Sequence, residues 1–359
     1  MTDAQLPAAL EGVRVLDLTH QIAGPSATLV LALLGADVVK VVPPGDPSSF
    51  EGIPFYLNNL SKRSIALDLK SPEGKEKLLE LAARADVFVE NFGPGVIERL
   101  GLDYETVRAV RPDIVYGQIK GFAPGTEFAD FPCFDPIAQA YSGASSMTGE
   151  PDGLPMKPGP DIGDTGTGMM LANSLLAALY QRARTGVGQR IQIAMADQVA
   201  SFMRIHYGFP IGQGRTTPRF GNAAPFPMPT PPSGLFPTPP FGPNDYAHIH
   251  VGNDKQWAAF AKAIGRPELA TDEHYATQPA RAQRVEEIER LTREWAAQRD
   301  KHEVMRTLGA AGVPAAAVRT TSEVLADEDL QRRGVFVRVP HPKFGEIAVP
   351  SWPAAMSGT

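Results

Sequence analysis

A single cysteine, Cys133, stands among 359 residues, so no intrachain disulfide framework holds this chain. Its stability has to come from an apolar core, and a reducing compartment suits it. Neither sign of charge is in large excess. Lysine and arginine number 34 against 40 aspartates and glutamates, a net charge of −6 that excludes nucleic-acid binding by bulk basicity. Long hydrophobic runs are missing too. The nearest approach, Met169 to Tyr180, is interrupted by Asn173 and Ser174 and runs into Gln181-Arg182, too short and too polar for a membrane span. Met1 to Leu6 carry neither the basic region nor the apolar run of a secretory signal, so a cytoplasmic location is expected. Dinucleotide fingerprint, lysine-bearing phosphate loop and Gly-x-Ser-x-Gly elbow are all lacking. Of seven histidines, His248 and His250 alternate on a predicted strand with no cysteine cluster or His-Glu-x-x-His helix beside them, and no metal is expected.

What is present is a chain long enough for two domains, 43% apolar and 21% charged, with 34 glycines and 34 prolines that call for many turns. From Gly12 to about Lys120 short apolar strands alternate with mixed helices, the pattern of α/β units around a mostly parallel sheet. Strands are expected at 13–18, 38–42, 64–69, 86–89 and 113–119. Ala27 to Leu34 is expected as the first helix, and Ser71-Pro72-Glu73 opens another with a capping hydroxyl, a proline at the first helical position and an early acid. Further on, Thr165 to Thr185 reads as a long helix stopped by Gly186, Arg190 to Ile193 as a strand and Met195 to His206 as a helix.

Between 225 and 243 nine prolines in 19 residues forbid regular helix or a central strand. The expected organisation is therefore a large domain over 1–224, a proline-rich linker over 225–243, a smaller α/β domain over 244–330, and a return toward the large domain over 331–359. In the smaller domain a strand is expected at 246–251 and helices at 255–264, 281–297 and 301–308, followed by final strands at 335–339 and 346–349.

Three segments carry candidate chemistry. Gly163-Asp164-Thr165-Gly166-Thr167-Gly168 sets one carboxylate among three glycines at a helix start. The glycines are expected to leave room for a large reacting group, and backbone N–H groups could hold developing negative charge. Asp164 is the candidate nucleophile, although the same residue types also make an ordinary helix cap. Thr19-His20-Gln21-Ile22-Ala23-Gly24-Pro25 follows the first strand, where open α/β sheets place ligands. Asn59, Lys62 and Arg63 precede a strand and Glu90-Asn91-Phe92-Gly93-Pro94-Gly95 follows one; the paired cations could engage phosphates or carboxylates, although a solvated loop with surface ion pairs is the commoner use of such residues. Cys133, between Pro132 and Phe134, reads as a small buried hydrophobe.

Taken together, Arg14-Val15-Leu16-Asp17-Leu18 through Gly24-Pro25, Leu34-Gly35-Ala36-Asp37-Val38, Lys62 through Lys70, Glu90 through Gly95 and Gly163-Asp164 through Gly168 resemble the class III CoA-transferases, with their related acyl-CoA racemases. The likeness runs over most of 12–207 and more weakly over 244–350. It implies a Rossmann-like large domain, a smaller second domain and an interlocked homodimer. It also implies coenzyme A as cosubstrate with no prosthetic group, and an acyl-CoA and a small carboxylic acid as partners. Asp164 matches the family's active-site aspartate, which takes part as an acyl-aspartyl anhydride and an aspartyl-CoA thioester. By the same likeness His20, Ala23, Asn59, Lys62, Arg99 and Leu100 lie along the coenzyme, and Gln21, Ile22, Phe134 and Asp135 on the substrate side. Ile22 stands where a glutamine occurs in oxalate-specific members, and Phe134-Asp135 where they have Tyr-Glu. Lys40-Val41-Val42 replaces a lysine-x-glutamate, and the glycine-rich flap is not reproduced in the proline-rich run. Phe134 also replaces the histidine of the racemases, although racemase-like proton transfer and a non-catalytic coenzyme-binding role remain the alternatives on this scaffold. The chain ends at Ser357-Gly358-Thr359, earlier than the family pattern.

Overall fold

A computed structural model describes residues 6–45, 52–223 and 228–357. Residues 1–5 of the segment read for a leader, and 225–227 at the head of the proline-rich run, lie outside it. The chain divides into two compact units, one of Met1–Ser146, Met156–Gly214 and Gln331–Thr359, the other of Met147–Pro155 and Arg215–Leu330.

The first unit is built on six parallel strands: β1 (Arg14–Asp17), β2 (Asp37–Val42), β3 (Arg63–Ala66), β4 (Val87–Glu90), β5 (Val115–Lys120) and β6 (Arg190–Ala194). Their spatial order is β3-β2-β1-β4-β5-β6, the doubly wound arrangement in which the chain reverses direction across the sheet between β1 and β4. Central strands are apolar on both faces because helices cover both. Every residue of β4 is buried, while the edge strand β3 is largely exposed. Leu16, Leu18, Leu78, Phe88, Ile97, Val107 and Tyr116 form one core cluster. Ser71 caps the helix Pro72–Ala82, accepting from the Gly74 N–H, and turns Leu78 and Ala82 inward.

The first helix begins four residues before the sequence suggests, spanning Ala23–Leu33. Pro25 fits its first turn, where an N–H has no intrahelical acceptor and none is lost. The long helix is Asp164–Thr185, closed by Gly186 at φ 74°. It lies directly against the Ala23 helix at Gly168, where an added Cβ would stand 2.5 Å from the Ala23 carbonyl oxygen and 2.8 Å from Ser26 Cβ. The helix expected at 195–206 ends at Phe202 and continues as a tighter turn over Arg204–Tyr207.

In the second unit β7 (Ser233–Pro237), β8 (Tyr246–His250) and β9 (Ala315–Ala317) form an antiparallel sheet around Phe236, Ile249, Trp257, Phe260, Ile288 and Trp295. The proline-rich run is thus not irregular throughout. Ser233–Pro237 is an edge strand, a position that tolerates a missing N–H on its outer side. The expected 281–297 helix is broken, as Gln278–Ala282 and Val285–Ala296. The chain closes in the first unit with the hairpin β10 (Phe336–His341) and β11 (Gly345–Pro350), where the Tyr56 hydroxyl donates to the Pro340 carbonyl at 3.0 Å.

Beneath the end of β1 lies a fully buried ionic cluster. Asp17 Oδ1 accepts from the Thr19 N–H at 2.8 Å and hydroxyl at 2.6 Å, and Oδ2 from the Thr28 hydroxyl at 2.6 Å. Lys40 Nζ lies 3.3 Å from one oxygen and Lys62 Nζ 3.1 Å from the other, with side chains 3% and 1% exposed. Lys40 also donates to the Thr19 carbonyl, and Lys62 to Pro25, Thr28 and Asn59. Burial pushes the Asp17 carboxyl up, but the two ammoniums and two hydroxyls outweigh it and hold the group well below the usual carboxylate range. Burial takes Lys62 down to about 8 despite the attraction of Asp17.

Asp17→Asn leaves two ammoniums facing each other in a dry site, and its expected cost is about 3–5 kcal/mol in urea unfolding at neutral pH. Lys62→Met keeps Asp17 paired with Lys40 and both threonines, and its expected cost is at most about 2 kcal/mol. The opposite ranking of the two unfolding midpoints would refute the central place given to Asp17.

Candidate active site

Because strands diverge on either side of β1 and β4, a crevice opens at their carboxyl ends. It holds a cavity of about 370 Å³ lined from successive strand ends: His20, Gln21 and Ala23 after β1, Asn91 to Pro94 after β4, Ile119 to Gly121 at β5, and Met195 after β6. Asp130 to Phe134 close one side, and Asp164 enters from the long helix.

The β1 and β4 loops are tied together. Asn91 Oδ1 accepts from the His20 N–H and its Nδ2 donates to the His20 carbonyl, both at 2.8 Å. The His20 ring meets Phe92 edge-on at 4.6 Å between centroids. Desolvation, then the charges of Lys40 and Lys120, lower the imidazole pKa against the pull of Asp17. Gln21, beside it, takes a left-handed backbone at φ 61°, unusual without glycine. Under the β4 loop, Glu90 is fully buried, accepting from the Phe92 N–H at 2.8 Å and from Gln118. Lys120 neutralises it and donates to the Phe92 carbonyl at 2.7 Å.

Asp164 is the first residue of its helix and does not cap it. That task falls to Asp135, whose Oδ1 accepts from the Gly163 N–H at 2.8 Å and the Asp164 N–H at 3.2 Å. Among the described residues no donor reaches the Asp164 carboxylate. Burial, then the negative charges of Asp135 and Asp161, push its pKa up to about 6 against the opposing charge of Lys157. Burial and the Asp164 charge push the neighbouring Cys133 thiol up to about 11, so it stays protonated.

The glycines around Asp164 do not clear space for a ligand, contrary to the expectation from sequence. A Cβ on Gly163 would sit 2.9 Å from Asp135 Oδ1, one on Gly166 2.4 Å from the Phe202 ring, and one on Gly168 against the Ala23 helix. They admit protein, and so fix the carboxylate in place.

His20, Gln21, Ala23, Phe134 and Asp164 therefore meet in one cavity. Ile22 caps the Ala23 helix with its carbonyl, accepting from Ser26, and does not line the cavity. Asn59 and Lys62 are engaged in the Asp17 cluster and are no surface ion pair. Arg99 and Leu100 lie at the end of the short helix Val96–Arg99, away from the cavity lining. Asp135 is buried behind the Asp164 backbone. The sequence reading missed Lys120, Asp130, Phe131 and Met195. For Lys120 and Met195 the signal was available, since the rule that placed His20 at a strand's carboxyl end applies equally to β5 and β6; Asp130 and Phe131 lie in a loop well beyond β5 and carried none.

The pattern of CoA-transferase family III matches residues 10–359. Among characterised relatives, formyl-CoA:oxalate CoA-transferase of Streptomyces avermitilis is 40% identical, over 97% of this chain and 90% of its own length. The protein of the same name from Streptomyces coelicolor is 40% identical over 97% and 89%. A crystal structure of a CaiB/BaiF family protein from Brucella suis superposes with a TM-score of 0.85 and 32% identity, covering 98% of this chain and 93% of that one. With a match across nearly its whole length, and a parallel sheet carrying its crevice at the β1/β4 reversal, the chain belongs to CoA-transferase family III and is an enzyme, a CoA-transferase.

Proposed function

We propose that this enzyme moves coenzyme A from an acyl-CoA to a carboxylic acid through covalent intermediates on Asp164. The carrying observation is the state of that carboxylate: placed in the cavity, without a hydrogen-bond donor among the described residues, and more basic than an ordinary aspartate. In this reading the ionised oxygen attacks the thioester carbonyl, the C–S bond breaks, and an acyl-aspartyl anhydride forms with release of CoA thiolate. The thiolate then attacks the aspartyl carbonyl, expelling the donor acid and leaving an aspartyl-CoA thioester. An acceptor carboxylate attacks that thioester, giving a new anhydride and thiolate. Return of the thiolate to the acceptor's acyl carbon releases the new acyl-CoA and restores Asp164. No proton is consumed overall, which suits a site whose cysteine stays protonated.

In this reading His20 and Ala23 lie along the coenzyme, and Gln21 and Phe134 on the side of the acid. Asp135 acts behind Asp164 by holding its backbone. On the same reading Asn59 and Lys62 act through the Asp17 cluster, and Arg99, exposed beside Leu100, is assigned to the coenzyme's phosphates. A homodimer is supported by Phe134, Tyr141, Phe202, Ile205 and Ile211, large apolar side chains exposed on the first unit. The relatives' reaction makes formyl-CoA and oxalate the first pair to assay. No helix of the described residues is long and apolar enough to cross a membrane.

Asp164→Ala is expected to lower transfer at least about 1,000-fold with circular dichroism unchanged, and to abolish the hydroxylamine-sensitive adduct that mass spectrometry finds on residue 164 of the wild type. Wild-type turnover in this variant would refute the reading. Solvent deuterium entering the α-carbon with no acceptor acid present would instead favour the racemase alternative.

The pH dependence follows from the raised pKa. Asp164 is neutral and unreactive below about 6 and ionised above it. Turnover is expected to rise tenfold per unit of pH below that point and to level off above it. A profile still flat down to pH 4.5 would count against Asp164 as the reacting base.

A further inference from the structure

At the start of the Asp164 helix, carboxylates outnumber cations. Asp135, Asp161 and Asp164 converge there, and Lys157 reaches two of them, its Nζ 3.4 Å from Asp135 Oδ2 and 3.1 Å from Asp161 Oδ1. The geometry forms a relay. One oxygen of Asp135 takes the Lys157 ammonium while the other holds the Gly163 and Asp164 N–H groups, and the Asp161 carbonyl accepts from the Thr165 N–H. Asp135 is 5% exposed at its side chain and also accepts from the Gln139 side-chain amide at 2.6 Å, so without Lys157 it would be a buried anion held by three neutral N–H donors and no cation. Lys157 does not line the cavity, and neither the fold nor the covalent steps above use it.

Other charged and titratable groups around Asp164 do not replace this lysine. Across the cavity His20 is driven toward its neutral form, Lys120 is matched by Glu90, and Asp130 adds negative charge. Cys133 beside it is a neutral thiol. We propose that Lys157 is a positioning residue for the reacting carboxylate: by neutralising Asp135 and Asp161 it holds the helix start in place and keeps Asp164 ionised at neutral pH. The inference rests on Asp164 being the reacting group. In agreement, the charge of Lys157 opposes the upward push that burial, Asp135 and Asp161 exert on Asp164.

The test compares Lys157→Met, Lys157→Arg and the double variant Lys157→Met/Asp161→Asn, each with and without Asp164→Asn. One readout needs no substrate. A carboxyl whose folded pKa lies above its unfolded value penalises the native state at high pH, and the penalty fades as pH falls toward the unfolded value. Each Asp164→Asn variant should therefore melt higher than its parent at pH 8, with the gap closing through the folded pKa of Asp164. In Lys157→Met that midpoint is expected to rise by about half a unit to one unit, and Lys157→Arg and the double variant should return it toward the wild-type position. The acid limb of transfer should move with it, lowering turnover about two- to fivefold at pH 6 and leaving it nearly unchanged at pH 8.5.

An unmoved midpoint in Lys157→Met, or a loss of turnover equal at every pH, would overturn the proposal. A shifted midpoint supports it even if no acid accepts CoA, an outcome that would count against the transfer reading alone.

Discussion

Asp17 is the residue on which the site's geometry depends. Its carboxylate is fully buried at the end of β1, and its five ligating groups come from the β1 loop, the Ala23 helix, β2 and the segment before β3. An isolated charge so placed would cost many kcal/mol, so the surrounding elements are constrained to deliver partners to it. Two ammoniums to one carboxylate leave the cluster with a net positive charge directly below Thr19. Burial first, and then the charge of Lys40 from this cluster, lower the pKa of His20 against the pull of Asp17, and the net positive charge makes the floor of the crevice favourable to anions.

Across the cavity, two aspartates of identical chemistry are given different partners by their surroundings. Asp135 accepts two backbone N–H groups and faces an ammonium. The carboxylate of Asp164, whose own backbone N–H is one of those two donors, accepts nothing among the described residues and is raised by burial and by its neighbours' charge. A helix start normally stabilises a carboxylate placed on it. Here Asp135 occupies that position from another helix, and Asp164 projects past it into the crevice. Capping and reactivity, which the sequence leaves as rival explanations of one residue, are divided between two.

Much of this was legible before any coordinates. Alternating short strands and helices between Gly12 and Lys120 announce the parallel sheet, and Ser71-Pro72-Glu73 marks its helix start correctly, because these signals are local and physical. The Ala23 helix was drawn too short because Gly24-Pro25 reads as a turn, although proline is equally at home in a first helical turn. Ser233–Pro237 was hidden by its prolines, since only tertiary placement at a sheet edge makes them tolerable. For the site, Asp164 and His20 could be chosen from residue type and position along a strand or helix. Glu90, Lys62 and Asp135 could not be placed, because whether a charged group is wet or buried depends on partners 28 to 45 residues away. The glycines were misread for the same reason: sequence shows that a side chain is missing, not what fills its space.

The reason for such elaborate control of one carboxylate lies in two opposing demands on a nucleophile. A more basic oxygen attacks a thioester faster, yet only the ionised fraction attacks at all. At a pKa of about 6, Asp164 is some two units more basic than a free aspartate and still about nine-tenths ionised at pH 7. Another unit upward would halve the ionised fraction, and a donor aimed at the carboxylate would remove the gain in basicity. The surrounding groups hold the residue inside this narrow interval. Burial and the charges of Asp135 and Asp161 raise it, Lys157 opposes them, and close contact at Gly163, Gly166 and Gly168 fixes the helix start that carries it.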